Sequence, residues 1–248
     1  VMLHIVGNGP SRLKHDIDNL GEWWGCNAIQ YDHNPDILFS VDVNWHEEVI
    51  SSGFYKENRV AVASWDPIDI SMWDMILDTV KMEGSEINAI KTDGDTHFIV
   101  QGNGYYISAL GYDAKYDSNL IRYDYPELKN LFSGMSALGY ACFNGYKNIT
   151  LLGFDSLQYD NPSNVYEGKN DKYLPKYSKT DRVNTVQKSQ FIALLEKFND
   201  VNFYFKNDVD DLIPVKYDEL SYYEKSEKWF LGQGLESDTL RYNANTNN

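Results

Sequence analysis

The chain has 248 residues, 24% of them charged and 15% aromatic, with a formal net charge of −15 at pH 7. That length buries a substantial core, and the composition is globular rather than disordered. The negative charge argues against a protein that binds nucleic-acid backbone or docks on an anionic membrane surface, but leaves room for one small nucleotide in a locally basic pocket.

Cys26 and Cys142 are the two cysteines. They build no disulfide framework, and with no CxxC, zinc spacing or HExxH they point to a reduced, cytoplasmic setting. No apolar run has membrane-spanning length, and the short apolar start Val1 to Val6 reads as a buried strand rather than a signal peptide.

In chain order, residues 2–6 read as the first strand and 10–20 as a polar helical stretch. EWWGCNAI (22–29) reads as a short second strand running into a loop, and DILFSV (36–41) as a third that ends at Asp42. NWHEEVISSG (44–53) suits a helix closed by Gly53, and RVAVAS (59–64) a fourth strand. INAIKTDGDTHFIV (87–100) reads as a hairpin turning at TDGDT, and QGNGYYISALGY (101–112) as the start of a helix. In 133–155, SGMSALGYACFNGYKNITLLGFD, Met135, Leu138 and Cys142 recur at helical spacing. Asn144-Gly145 then stops the helix, and NITLLGF continues without alternation, as a strand covered on both faces does. A second helix (183–198) and strand (201–206) repeat the pattern.

This alternation predicts an α/β fold: a doubly wound, mostly parallel Rossmann-like sheet with helices on both faces. Residues 1–233 are expected to form one domain, carrying a polar lid at 156–182 and followed by a frayed tail at 234–248. In the lid, Lys169, Lys172, Lys176, Lys179 and Arg182 stand against Asp160, Glu167, Asp171 and Asp181, so it lacks the negative excess of the whole chain. Loops this long in compact domains usually bind or cover something.

Ligands of open α/β sheets bind beyond the carboxyl ends of the strands. Gly7, Asn8 and Gly9 end the first strand, Pro10 can open a helix at its first position, and Ser11 follows. This is neither the GxGxxG fingerprint, since position 12 is Arg, nor a Walker loop. It is an anion or nucleotide turn, or else a tight strand-to-helix turn with no ligand. Asn27, after the second strand, reads as a ligand for a base or sugar or as a turn cap. Asp42 could hold a ribose or a metal, or cap the following helix. Ser133 and Gly134 open the strongest helix as an anion site or an ordinary cap, and Asp155, which ends a buried strand facing the crevice, is a catalytic candidate. The six tryptophans fill the core or seal an interface in a homo-oligomer.

IVGNGPS (5–11), Cys26-Asn27 and the 133–155 helix–strand together resemble bacterial lipooligosaccharide sialyltransferases, which use CMP-activated sialic acid. They are also similar to phage and uncharacterised proteins with a domain like the pterin diphosphokinase and flagellin-glycosylation proteins. The resemblance implies that Gly7, Asn8, Gly9, Asn27, Ser133 and Gly134 contact a nucleotide and that Tyr159 and Tyr166 hold the CMP phosphate. Where that family carries a histidine base late in the lid, this chain has Tyr177; its arginine before the Ser-Gly turn is missing, with Lys129 nearby. The implied activity is transfer of a nucleotide-linked sugar, most simply CMP-linked, to a glycan hydroxyl without a metal or other cofactor. The alternatives are a nucleotide-binding or interaction protein with a degenerate site, and a diphosphokinase-like enzyme using ATP and magnesium at Asp42 and Asp155.

Overall fold

The computed structural model describes residues 1–41, 43–62, 66–69, 86–92, 95–102, 105–123, 125, 128, 131–159, 163–167, 169 and 181–216. The chain divides into two compact units: Val1–Phe39 with Asp124–Asn248, and Ser40–Tyr123.

The strands in chain order are β1 (Leu3–Val6), β2 (Trp23–Cys26), β3 (Ile37–Ser40), β4 (Val60–Val62), β5 (Asp66–Asp69), β6 (Glu86–Thr92), β7 (Asp95–Gly102), β8 (Tyr105–Tyr112), β9 (Leu120–Arg122), β10 (Asn148–Leu152), β11 (Asn202–Phe205) and β12 (Ile213–Pro214). The α-helices are α1 (Val43–Ser51), α2 (Ser133–Phe143) and α3 (Asp181–Lys197).

In unit 1 the strand order is β12-β11-β10-β1-β2-β3. All neighbours pair in parallel except β12, which runs antiparallel to β11 at the edge. The chain starts in the middle at β1, winds outward through β2 and β3, then returns to the other side of β1 with β10 and β11. This is the doubly wound, Rossmann-like α/β arrangement expected from the alternation of helix and strand. The strand order reverses between β1 and β10, so the crevice such sheets offer a ligand lies between their carboxyl ends. Continuous apolar runs make these central strands: Leu3, Ile5, Val6, Ile149, Leu151 and Leu152 are all fully buried. Trp24 on β2 stacks on Phe39 of β3 at 5.5 Å and meets Tyr140 of α2 at 5.7 Å, which seats α2 against the sheet.

Residues 10–20 depart from the expected helix. They form two short 3₁₀ turns, Pro10–Lys14 and Ile17–Asn19. Leu13 and Lys14 point to solvent and only Arg12 and Ile17 are buried, so the stretch has no apolar stripe to support a longer helix.

Unit 2 pairs β4 with β9 in parallel and builds a four-stranded sheet in the order β5-β8-β7-β6. β6 and β7 form the expected antiparallel hairpin. Residues 105–112, read as helical, are instead strand β8, antiparallel to β7. The register sets Gly102 opposite Tyr105, leaving Asn103-Gly104 between the strands. Asn-Gly is the strongest short-range hairpin signal, and it outweighs the weak helical pattern of YYISALGY.

Helix α1 carries a buried histidine. His46 Nε2 donates to the carbonyl of Ser40, and burial pulls its pKa down to about 4 from 6.5. The unfolded chain therefore binds a proton between those values that the native state refuses. The contribution is full above pH 6.5 and is lost as pH falls toward 4, on the order of 3 kcal/mol. Urea unfolding at pH 7 and pH 4.5 should show a smaller loss in His46→Gln than in the parent chain.

Candidate functional site

The loops after β1 and β10 meet at the point where the strand order reverses. Gly7 N–H donates to Leu152 O at 2.8 Å and Gly9 N–H to Gly153 O at 2.9 Å. The approach is so close that a Cβ on Gly7 would lie 2.6 Å from Gly153 O, and one on Gly9 would lie 2.0 Å from Asp155 Oδ2. Gly153 itself has φ +68, and a Cβ there would sit 2.7 Å from Gly7 O. These glycines let two backbones touch.

Pro10 starts the 3₁₀ turn, and the carboxylate facing the turn's first N–H, that of Ser11, belongs to the protein. Asp155, 6% exposed, accepts from Ser11 Oγ at 2.7 Å, and from Ser11 N–H at 3.3 Å and 3.4 Å through its two oxygens. The anion expected at this turn is thus supplied by Asp155, and both its oxygens are engaged in holding the turn shut.

Beside this closed junction, Asn27 and Ser133 come together from residues 106 apart in sequence. Ser133 Oγ donates to Asn27 Oδ1 at 2.7 Å, joining the end of β2 to the start of α2. Asn27 has φ +49 and is the one non-glycine residue with positive φ among the described residues. Asparagine tolerates this region, and single residues held there concentrate at functional turns. Ser133 is buried and Asn27 half-buried. Gly134 follows, with room for only a hydrogen: a Cβ would lie 2.9 Å from the Phe154 ring.

Arg12, which sequence reasoning noted only as breaking a glycine motif, is 1% exposed. Its Nη1 donates to Asn8 Oδ1 at 3.0 Å and its Nη2 to Tyr166 Oη at 2.7 Å. The guanidinium lies over the Tyr166 ring at 5.0 Å and 3.6 Å from Asp32 Oδ2. Asn8 Nδ2 in turn donates to Cys26 O at 3.0 Å. Nothing in the sequence marks Arg12 as buried, because its partner Tyr166 is 154 residues away.

Tyr166 therefore has its hydroxyl in use, accepting from Arg12 and donating to Asp32 at 2.6 Å. Burial, then Asp32, push its pKa up to about 12. Tyr159 is half exposed, next to the short turn Asp155–Leu157. Burial likewise pushes the Cys26 and Cys142 thiols up to about 12, so neither is a nucleophile at neutral pH. Tyr177, Asp42 and Lys129 lie outside the described residues. Among the described residues no group of three or more His, Cys, Asp and Glu is placed to hold a metal, and no helix is long and apolar enough to cross a membrane. In comparisons with known proteins, no family model, curated protein or solved structure matches the chain.

Proposed function

We propose that unit 1 binds a nucleotide at the carboxyl rim of its sheet and uses it as the carrier of an activated sugar, CMP-linked, for transfer to a glycan hydroxyl. The observation that carries the reading is Asn27, held at φ +49 with its carboxamide tied to Ser133 at the head of α2. A carboxamide fixed in this way presents donor and acceptor groups suited to a base or ribose. In this reading Gly7, Gly9, Pro10, Ser11 and Asp155 form the floor. Asp155 holds the turn rather than moving a proton. The departing phosphate is steadied by Tyr159 and the α2 terminus, and Tyr177, in its phenolate form, takes the acceptor proton.

One observation favours a second reading, a nucleotide-binding or interaction protein whose catalytic site is degenerate. Asp155 already occupies the amide end of the β1 turn, where a donor phosphate would otherwise be held. The same engagement makes Asp155 a poor magnesium ligand for phosphoryl transfer.

A thermal-stability panel of CMP, CDP, UDP, GDP and ATP, each with magnesium or chelator, tests both readings. A ligand at a hundredfold its Kd adds about 2.7 kcal/mol to the native state. The expected result is a shift selective for CMP that survives chelator and is lost in Asn27→Ala. Silence across the panel overturns the proposal. Binding with no turnover of CMP-sugar selects the degenerate reading, and a magnesium-dependent ATP shift selects phosphoryl transfer.

A further inference from the structure

The side-chain network around Arg12 joins three stretches of unit 1. Residues 163–167 belong to a polar segment with no hydrophobic period, yet they are held at a defined place. Val165 N–H donates to Asn8 O at 2.9 Å, the Tyr166 hydroxyl bonds Arg12 and Asp32, and the Tyr166 ring meets Tyr31 edge-on at 6.0 Å. Every one of these partners lies between residues 8 and 32. A buried guanidinium is costly unless its donors are bonded. Arg12 sends Nη1 to Asn8 and Nη2 to Tyr166 as a fork, while its buried Nε finds no hydrogen-bond partner among the described residues. Asn8 passes the connection on, because its amide holds Cys26 O, the carbonyl immediately before Asn27.

We infer that Arg12 and Asn8 form a relay that couples the docking of residues 163–167 to the conformation of the Cys26–Asn27 turn. Tyr166 is then a positioning residue for Asn27, not a group that touches ligand. When residues 163–167 are docked, the guanidinium fork is fixed, Asn8 is oriented, and the carbonyl of Cys26 is held so that the next residue stays in the left-handed region. When they undock, Arg12 gains water, Asn8 loses its fixed partner, and the β2 end loosens. The inference rests on the nucleotide reading only for its consequence at Asn27; the coupling itself is a property of the unliganded chain.

The two cysteines report on it without any nucleotide. Cys26 lies in the relay, whereas Cys142 lies near the end of α2, and both are buried with thiols that react only on opening. Tyr166→Phe keeps the ring and removes both hydroxyl bonds. The bond to buried Arg12 dominates, because Asp32 is half exposed, and one hydrogen bond to a charged group corresponds to roughly a tenfold change in opening. Alkylation by iodoacetamide, read peptide by peptide in a mass spectrometer, should therefore speed up about tenfold at Cys26 and stay unchanged at Cys142. Amide exchange at Val165 should rise in step with it. Arg12→Lys, which keeps the charge but cannot fork, should reproduce the pattern. The inference is overturned if Cys26 labelling is unchanged in Tyr166→Phe, or if Cys26 and Cys142 speed up together, which is general destabilisation. Because no nucleotide is present, failure here is separate from a silent nucleotide panel.

Discussion

Arg12→Ala is expected to lower the unfolding free energy of unit 1 by about 3 kcal/mol, a range typical of removing one member of a buried charged network. The side chain is 1% exposed, so its loss leaves a cavity as well as stranded partners. Asn8 Oδ1 loses its donor from Arg12, while Tyr166 keeps Asp32 and is only half stranded. Tyr166→Phe should accordingly cost less, about 1–2 kcal/mol. Urea unfolding followed by tryptophan fluorescence reads this directly, since Trp23 and Trp24 sit on β2 in the same unit. A loss below about 1 kcal/mol for Arg12→Ala would mean that water already reaches the guanidinium in solution.

Gly9→Ala should cost about 2–3 kcal/mol, the upper part of the range for forcing atoms into a packed site. Its backbone, at φ −72 and ψ 154, suits any residue, so the penalty is purely one of space. The new methyl would meet Asp155 Oδ2 at 2.0 Å and Gly153 O at 2.7 Å. The carboxylate can rotate away, at the expense of its bonds to Ser11, but the carbonyl cannot. In an Asp155→Ala background the cost of Gly9→Ala should therefore shrink without vanishing, and a double-mutant cycle on the two sites measures the coupling. Additive costs would show that Asp155 does not press on this turn. An open nucleotide turn with nothing packed against it would accept the methyl freely, so the same variant separates a floor from a binding loop.

These two results bear on how the opening GNGPS of the chain should be understood. Its glycines were legible as a demand for close approach, but to what was not. The partner is the protein's own loop at Gly153–Asp155, nearly 150 residues later, and the anion at the turn is Asp155. A glycine shows that something comes near; only the folded neighbour says whether that something is a ligand or backbone.

By itself the sequence determined the parts of this protein that depend on local pattern. A short apolar start marked β1, a run without alternation marked β10, helical spacing marked α2, a repeat of that helix-strand pattern marked α3 and β11, and a glycine stop closed α1, where Gly53 has φ +74. The alternation of these elements was enough for a doubly wound sheet, because parallel strands need crossovers and crossovers must cover the sheet. It also put Asn27 and Ser133 among the residues of one rim. Where local signals were weak or in conflict, as at residues 10–20 and 105–112, pattern alone chose the wrong element. Only tertiary structure decided that Asn27 and Ser133 touch, that Arg12 is buried against Tyr166, and that Asp155 caps the turn at Ser11. The physical reason is that each is a pairing of polar groups from distant parts of the chain. Such pairings leave no period and no composition bias, and take their energy from the loss of water on burial, which exists only once the sheet has brought its strand ends together.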